Sequence, residues 1–170
     1  NSVLDNVTFN YSRVGGLDVR GNNITVVNNV INNSASSGIS TRAIRSYFIN
    51  NTIANSIQDG IYADYLNNLS IQNNVIFGNG RAGITTSSSV VNITIENNTM
   101  FNNSKYGYYS QFGTTNAILS NNSIFRNMES GIFITVDSST NLTSIRYNHL
   151  FNNSQDFKLT QTVSGFYVIN

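Results

Sequence analysis

Cysteine and proline are absent from this sequence of 170 residues. The lack of cysteine excludes disulfide bonds, zinc–thiolate sites and thiol nucleophiles. The lack of proline leaves every backbone N–H free to donate a hydrogen bond, and a parallel β-sheet uses these donors in every strand. Both absences are compatible with a chain built largely from hydrogen-bonded strands.

Charged residues are scarce, at 10% of the chain, and the formal net charge is +1. Ordinary globular proteins contain about 25% charged residues. No basic patch is present to hold phosphates, so we predict no nucleic-acid partner. No apolar run approaches the ~20 residues that cross a bilayer, so we predict no membrane span in this segment. The sequence shows neither a signal peptide nor an initiator methionine, so we expect a processed or excised segment.

The chain contains a single histidine, His149. One histidine without any cysteine argues against a copper site. His149 takes the place of an asparagine in the repeat described next, which favours a hydrogen-bonding role at a corner over metal binding or acid–base chemistry. We therefore predict no metal site and no cofactor.

Asparagine is abundant, with 31 copies, and recurs in pairs along the chain. We call the second residue of each pair the anchor, and successive anchors lie 22 to 27 residues apart. Self-similarity at such a period predicts a solenoid, in which each repeat buries its apolar edge by stacking on its neighbours. The anchors are Asn6 (preceded by Asp5), Asn29, Asn51, Asn74, Asn98 and Asn122, with His149 in a degenerate seventh copy.

Glycine and apolar residues keep the same phase as the anchors. A glycine lies nine residues after each of the first six anchors, at Gly15, Gly38, Gly60, Gly83, Gly107 and Gly131. One apolar column lies three residues before the anchor, at Val3, Val26, Phe48, Ile71, Ile95 and Leu119. Another lies two residues after it, at Ile31, Ile53, Ile76, Met100, Ile124 and Phe151. We predict that these columns, and the apolar residue after each glycine, face the core.

Polar and apolar residues alternate around the anchors, as in residues 69–73, and β-branched residues dominate the apolar set. Both features favour strands over amphipathic helices. Glycine and asparagine are expected to form the corners between strands, because both tolerate left-handed backbone conformations.

The Asn-Asn-x-Ile and Gly-Ile elements resemble the PbH1-type repeat of right-handed parallel β-helices, over nearly the whole chain. This pectin-lyase-like architecture also includes NosD-like and sugar-hydrolase repeat proteins. The resemblance implies an all-β fold with three parallel sheets and an asparagine ladder stacked inside one corner. It does not define an activity, because many unrelated functions share such repeats.

At the observed period, 170 residues make about seven coils of 22–27 residues, so residues 1–170 are predicted to form a single β-helix domain. Neither end carries an obvious cap. An uncapped β-helix exposes unpaired backbone groups that attract another strand. We therefore expect a segment or subunit of a longer assembly, joined end to end with other copies or with adjoining domains of the same protein.

Twelve asparagines open Asn-x-Ser/Thr sequons, which permits two interpretations. The sequons are acceptors for N-glycosylation of a surface protein, or they are corner chemistry that happens to match the sequon pattern. They lie at Asn6, Asn10, Asn23, Asn32, Asn50, Asn68, Asn92, Asn97, Asn102, Asn121, Asn141 and Asn152. Four of them, Asn23, Asn68, Asn92 and Asn141, are predicted to share one corner between coils, and this favours glycosylation.

Polysaccharide lyases and hydrolases of this architecture need clustered acids on one external sheet. The eight acids of this chain scatter in the repeat frame, and no two share a column on adjacent coils. Asp64 and Arg42 both lie four residues after a glycine, where we expect a solvated ion pair rather than a catalytic one. We therefore predict no catalytic residue, and catalysis is the less favoured interpretation.

An aromatic column gives a stronger signal. The residue two positions after each glycine should face outward, because the preceding residue faces the core. In coil order that column reads Ser40, Tyr62, Thr85, Tyr109 and Phe133, so three of its five residues are aromatic. Exposed rings on one face suit stacking on sugars or packing against another rod. The alternative is an ordinary surface cluster that also includes Tyr106 and Phe112.

Two functions remain open on this evidence. The favoured one is an extracellular structural or adhesive module of a surface layer, filament or adhesin that is glycosylated and self-associates through its ends. The alternative is a polysaccharide-binding or polysaccharide-processing β-helix that uses Tyr62, Tyr109 and Phe133 as its sugar platform.

Overall fold

The chain, described here from a computed structural model covering residues 1–10, 15–136 and 140–161, winds into three parallel β-sheets. Each coil contributes one strand to each sheet, and the described residues contain no helix. Accordingly, no helix in the described part of the chain is long and apolar enough to cross a membrane.

Every sheet has seven strands. Sheet 1 contains β1 (Ser2–Asp5), β4 (Ile24–Val27), β7 (Ser46–Ile49), β10 (Asn67–Gln72), β13 (Val91–Glu96), β16 (Thr115–Ser120) and β19 (Asn141–Arg146). Sheet 2 contains β2 (Thr8–Asn10), β5 (Val30–Asn32), β8 (Thr52–Ala54), β11 (Val75–Phe77), β14 (Thr99–Phe101), β17 (Ser123–Phe125) and β20 (His149–Phe151). Sheet 3 contains β3 (Leu17–Val19), β6 (Ile39–Thr41), β9 (Ile61–Ala63), β12 (Ala82–Thr86), β15 (Tyr106–Ser110), β18 (Ser130–Val136) and β21 (Gln155–Gln161).

Each strand pairs in parallel with the equivalent strand of the next coil, as β10 does with β7 and β13. The chain therefore advances by one strand spacing of ~4.8 Å per coil. The all-β parallel helix with three sheets and about seven coils, expected from the repeat and from the resemblance to right-handed β-helices, is confirmed.

The core is a stack of apolar side chains, with at least one from each sheet in the regular coils. Val26, Phe48 and Ile71 on sheet 1 are at most 1% exposed, and Ile31, Ile53 and Ile76 on sheet 2 are fully buried. Sheet 3 contributes the residues after the glycines, Ile39, Ile61, Ile84, Tyr108 and Ile132, which are also fully buried. The inward columns predicted for the regular coils are confirmed.

The anchor asparagines form a buried ladder between sheets 1 and 2. In Asn74, the carboxamide nitrogen donates to Asn98 Oδ1 (2.9 Å), to the Phe48 carbonyl (2.9 Å) and to the Gln72 carbonyl (2.9 Å). Its own Oδ1 accepts from the backbone N–H (2.9 Å) and side-chain nitrogen (3.0 Å) of Asn51. Each anchor thus satisfies buried backbone groups of its own coil and its neighbour, which would otherwise be costly to leave unpaired.

The predicted phase is wrong by one residue in the first and last coils. In the first coil Val7, not Asn6, occupies the anchor position, because its backbone N–H donates to Asn29 Oδ1 (2.9 Å). At the other end Asn148, not His149, accepts from Asn122 (2.8 Å). The same shift replaces Val3 by Leu4, Gly15 by Gly16 and Phe151 by Leu150 in their columns. The first step has a regular 22 residues, but Asn6-Val7 stands where the other coils have an asparagine pair. The last step, from Asn122 to Asn148, is longer, at 26 residues.

Asparagine and glycine form the corners for different reasons. Among the described residues, nineteen other than glycine have positive φ, and fourteen of these are asparagines, which tolerate this conformation better than most side chains. The regular glycine column does not have positive φ, contrary to expectation. At Gly60 a Cβ atom would lie 2.6 Å from the Gly83 carbonyl oxygen and 2.3 Å from Ile76 Cγ2. Glycine is needed there because adjacent coils approach too closely for any side chain.

A second buried asparagine ladder, which the sequence analysis missed, lines the corner between sheets 2 and 3. Asn79 donates to Asn103 (3.0 Å), Asn103 to Asn127 (2.9 Å) and Asn127 to Asn153 (2.9 Å). These residues lie five positions after the anchors. Two of them are the second member of an Asn-Asn pair, so the signal was present but was assigned to sequons alone.

Replacing Asn74 by alanine should lower the free energy of unfolding by at least about 3 kcal/mol, since several buried groups lose their partners at 1–3 kcal/mol each. The matched control is Asn67→Ala, because Asn67 is exposed and lies outside both buried ladders. That change should cost about 0.5 kcal/mol or less. Urea unfolding followed by circular dichroism measures both, and equal costs for the two variants would refute a stabilising ladder.

Candidate functional site

The outer face of sheet 3 carries a continuous column of side chains along the rod. The register pairs Asp18 with Ser40, Ser40 with Tyr62, Tyr62 with Thr85, Thr85 with Tyr109, Tyr109 with Phe133 and Phe133 with Lys158. The structure therefore places the three predicted aromatic residues in one column. Thr85, which is fully buried, separates Tyr62 from the other two rings.

Tyr109 and Phe133 pack their ring faces against each other rather than outward. Their centroids are 5.0 Å apart with an interplanar angle of 11°. Tyr106 packs against both rings at 4.9 and 5.1 Å, and Lys158 Nζ lies 4.9 Å from the centroid of Phe133. Both faces of Phe133 are thus occupied within the protein, so this pair is a surface cluster with little free ring face for a sugar. The ring contacts of this cluster join Tyr106, Tyr109 and Phe133 and do not include Phe112.

A buried ion pair lies between the aromatic cluster and Tyr62. The carboxylate of Asp59 is fully buried and accepts from Arg81 Nε (2.8 Å) and Nη2, from the Ala82 N–H (3.2 Å) and from the Thr85 hydroxyl (2.9 Å). The Arg81 guanidinium also lies 5.8 Å from the centroid of the Tyr62 ring. This arrangement fixes Arg81 and one face of Tyr62.

The free side of Tyr62 faces a pocket of about 470 Å³ over the first coils of sheet 3. Arg20 and Arg42 line it with Asp18 and Asp64. Arg20 pairs with Asp18 (2.9 Å), and both side chains are more than half exposed. Guanidinium and carboxylate groups therefore surround the ring of Tyr62. An aromatic wall with a few polar groups is common in ligand sites.

Arg42 and Asp64 form the ion pair expected from the repeat frame, at 3.2 Å. The pair is not fully solvated as expected, because the Asp64 side chain is 8% exposed while that of Arg42 is 57% exposed. Asp64 Oδ1 is buried and has no hydrogen-bond partner in the structure. The carboxylate thus lies beneath the guanidinium, and the pocket surface presents the cation.

Three ionisable groups of this face have shifted pKa values. The hydrogen bond to Asp59 raises the pKa of Arg81, and the hydrogen bond to Asp18 raises that of Arg20. Burial is the largest cause that raises the pKa of Tyr106 to about 12, and a hydrogen bond to Glu129 is the second. All three groups keep their ordinary charge at neutral pH, so Arg20 and Arg81 are cations and Tyr106 is a neutral phenol.

Sheet 2 carries a second aromatic column that the sequence analysis missed. Phe77, Phe101, Phe125 and Phe151 stack with centroid distances of 4.9, 5.1 and 4.7 Å. His149 lies on the same sheet, with its ring 4.5 Å from that of Phe151. The expected corner role of His149 is therefore wrong, since Asn148 occupies the ladder position.

The sequon asparagines lie mostly at corners. Nine of the twelve have positive φ: Asn6, Asn23, Asn50, Asn68, Asn92, Asn97, Asn102, Asn121 and Asn152. Most of the set is exposed, Asn32 is half-buried, and the side chain of Asn141 lies outside the described residues. Asn141 pairs with Thr115, so it lies one residue away from the column predicted for Asn23, Asn68 and Asn92. Corner chemistry accounts for many sequons, and glycosylation stays a prediction.

Three carboxylates at or beside sheet 3 are held by arginines rather than by one another. Asp18 pairs with Arg20, Asp59 with Arg81 and Asp64 with Arg42. Among the described residues no group of three or more histidine, cysteine or acidic side chains lies close enough to hold a metal ion. The arrangement is suited to binding a polar chain, with the guanidiniums as donors.

Arg81→Ala should destabilise the protein by about 3–5 kcal/mol, because it leaves the buried Asp59 carboxylate without its counter-charge. The double variant Asp59→Asn/Arg81→Ala removes both charges and should cost less than the single variant. Urea unfolding of both proteins checks this expectation. A double variant at least as unstable as Arg81→Ala would show that the uncompensated charge is not the cause.

The comparisons with known proteins agree on the architecture. The family model described as "Right handed beta helix region" matches residues 1–110 and 91–170, whereas no curated protein matches the sequence. The periplasmic alginate epimerase AlgG is similar in structure, with a TM-score of 0.78, 20% identity and coverage of 92% of this chain and 40% of that one.

Two further solved structures are similar. The enzymatically active domain of bacteriophage CBA120 tailspike protein 2 has a TM-score of 0.81 at 13% identity, covering 98% of this chain and 28% of that one. The A-module of Azotobacter vinelandii mannuronan C-5 epimerase AlgE6 has a TM-score of 0.70 at 15% identity, covering 99% and 56%. This chain spans between about a quarter and just over half of the length of these structures. With the family match over its whole length, the chain belongs to the right-handed β-helix family.

Proposed function

We propose that this β-helix binds an acidic polysaccharide in the pocket on sheet 3 formed by Tyr62, Arg20 and Arg42. The observation that carries the proposal is the pocket of about 470 Å³ in which two exposed guanidiniums flank an aromatic wall. Of the four charged groups lining it, Asp64 is buried. The accessible groups are two arginines and one aspartate, which gives an accessible net charge of +1.

Each lining residue suits a uronate chain. A guanidinium binds a carboxylate through paired hydrogen bonds, and Arg42 uses Nη2 for Asp64 and so retains other N–H donors. The Asp18 carboxylate accepts hydrogen bonds from sugar hydroxyls. The ring of Tyr62 offers an apolar surface to the C–H face of a sugar, in place of the three-ring platform predicted from the sequence.

The structural neighbours support this ligand class without defining it. One acts on alginate and another on mannuronan, by their names, and both polymers are polyuronates. The likeness is to 13–20% identical chains, so it establishes the fold alone. The choice of an acidic ligand depends on the arginines of the pocket.

The pocket and the neighbours favour a polysaccharide function over the structural or adhesive module first inferred from the sequence. Binding is the part that the geometry supports, because Asp18, Asp59 and Asp64 are each paired with an arginine rather than poised beside a second acid for proton transfer. A polysaccharide ligand and the periplasmic neighbour also support a location outside the cytoplasm. End-to-end association and glycosylation remain predictions.

Binding of alginate and polygalacturonate oligosaccharides, measured by isothermal titration calorimetry, tests this proposal. Arg20→Gln should weaken binding roughly tenfold by removing a charge-assisted hydrogen bond, and added salt should weaken it further. Tyr62→Ala should have a similar effect. The first substitution leaves the fold intact because Arg20 is 69% exposed.

Matched controls are Arg146→Gln and Phe112→Ala, which alter an exposed arginine and an exposed aromatic residue outside the pocket. Both should retain wild-type affinity. Absence of binding to either oligosaccharide, or equal losses in control and pocket variants, would overturn the proposal.

A further inference from the structure

A second and larger groove runs along the outer face of sheet 1. Its volume is about 880 Å³, and it extends from Val3 in the first coil to Ile118 in the sixth. Six coils at the strand spacing correspond to a length of ~25 Å. The sheet 3 pocket shares none of its lining residues, so the two concave surfaces are separate.

The groove is created by a bend in the backbone where each coil enters sheet 1. Residues at this bend have positive φ, as at Asn68 (59°) and Asn92 (55°). Asn68, Asn92 and Asn116 lie at this bend on successive coils and line one side of the groove, which we call the wall. The outward side chains after the bend form the floor, among them Tyr47, which is 51% exposed.

The wall is a row of exposed carboxamides. Asn116 Nδ2 donates to Asn92 Oδ1 (3.0 Å), and Asn92 Nδ2 donates to Asn67 Oδ1 (3.0 Å). A carboxamide has two N–H donors and an oxygen with two acceptor positions. Each amide therefore retains a donor and an acceptor for a ligand after these bonds are made. The row repeats at the strand spacing along the axis.

The floor adds hydroxyl groups and an aromatic ring. Thr25, Ser70 and Thr94 line the groove together with Tyr47. Among the described residues that line it, Arg45 is the sole charged side chain, and none is acidic. The groove therefore has one charged side chain among many uncharged polar ones, whereas the sheet 3 pocket has three accessible charged groups. Most of the polar groups of the groove are suited to an uncharged ligand.

We infer that the sheet 1 groove binds an uncharged, hydroxyl-rich polysaccharide laid along the rod axis. Amide and hydroxyl groups provide both donors and acceptors, as sugar hydroxyls require, and they recur at an interval similar to the advance of one sugar in an extended chain. Tyr47 supplies the apolar platform for one sugar ring. A protein partner would instead require a contiguous apolar centre, which hydroxyl groups interrupt here.

Glycosylation and this binding site compete for the same wall. Asn23, Asn68 and Asn92 line the groove and are also sequon asparagines. An N-linked sugar on Asn68 or Asn92 would lie in the groove and exclude an external chain. The site is thus accessible in the unglycosylated protein, and its occupancy by attached sugar is measurable from the intact mass.

Titration of the unglycosylated chain with neutral cello-, manno- and maltohexaose tests the inference. At least one should bind, Tyr47→Ala should weaken it roughly tenfold or more, the scale of a lost aromatic contact, and Phe112→Ala should leave it unchanged. Saturating acidic oligosaccharide should not displace the neutral one, because the two surfaces are separate.

Three results would overturn the inference: no binding of any neutral hexaose, no effect of Tyr47→Ala, or displacement of the neutral sugar by the acidic one. Dimerisation that Tyr47→Ala abolishes would likewise show that the groove holds a second copy of the chain. None of these results affects binding of acidic sugars to Arg20 and Tyr62, so failure here is distinguishable from failure of the proposed function.

Discussion

Parallel stacking at one strand spacing is the constraint on which this structure depends. Each side chain lies over its equivalent in the next coil, so a residue type is acceptable in a column only if it packs against itself. Asparagine satisfies this requirement in a buried corner, because its carboxamide donates forward and accepts from behind, as between Asn51, Asn74 and Asn98. Branched apolar residues satisfy it in the core, and phenyl rings satisfy it on sheet 2.

Like charges stacked in one column would repel each other. The chain avoids this by pairing opposite charges one coil apart. Asp59 and Arg81 are one coil apart, as are Arg42 and Asp64. In both pairs the carboxylate is buried and the guanidinium is the more exposed partner. The low content of charged residues therefore reflects the architecture, and the few arginines that remain at the surface dominate its local chemistry.

The repeat was sufficient to predict stacked strands and the core columns, because period and phase determine which residues superpose. The resemblance to right-handed β-helices implied the three sheets and the first ladder. The repeat was insufficient at Val7, which replaces the anchor asparagine, and at Asn148, where the coil is longer, and at both positions the hydrogen bonds reveal the true register. The column containing Tyr109 and Phe133 was predicted, but the direction of their ring faces was not. Ring orientation depends on neighbouring side chains such as Lys158, which alternation does not specify.

The glycine column limits how this rod tolerates change over evolution. A carbonyl of the next coil occupies the space that a Cβ atom at Gly60 would need, so any substitution there would push two coils apart. Whole coils, in contrast, carry their own copy of every column and fit between existing ones without new contacts. Length is therefore expected to vary among relatives by duplication or loss of complete turns, while the cross-section remains nearly invariant.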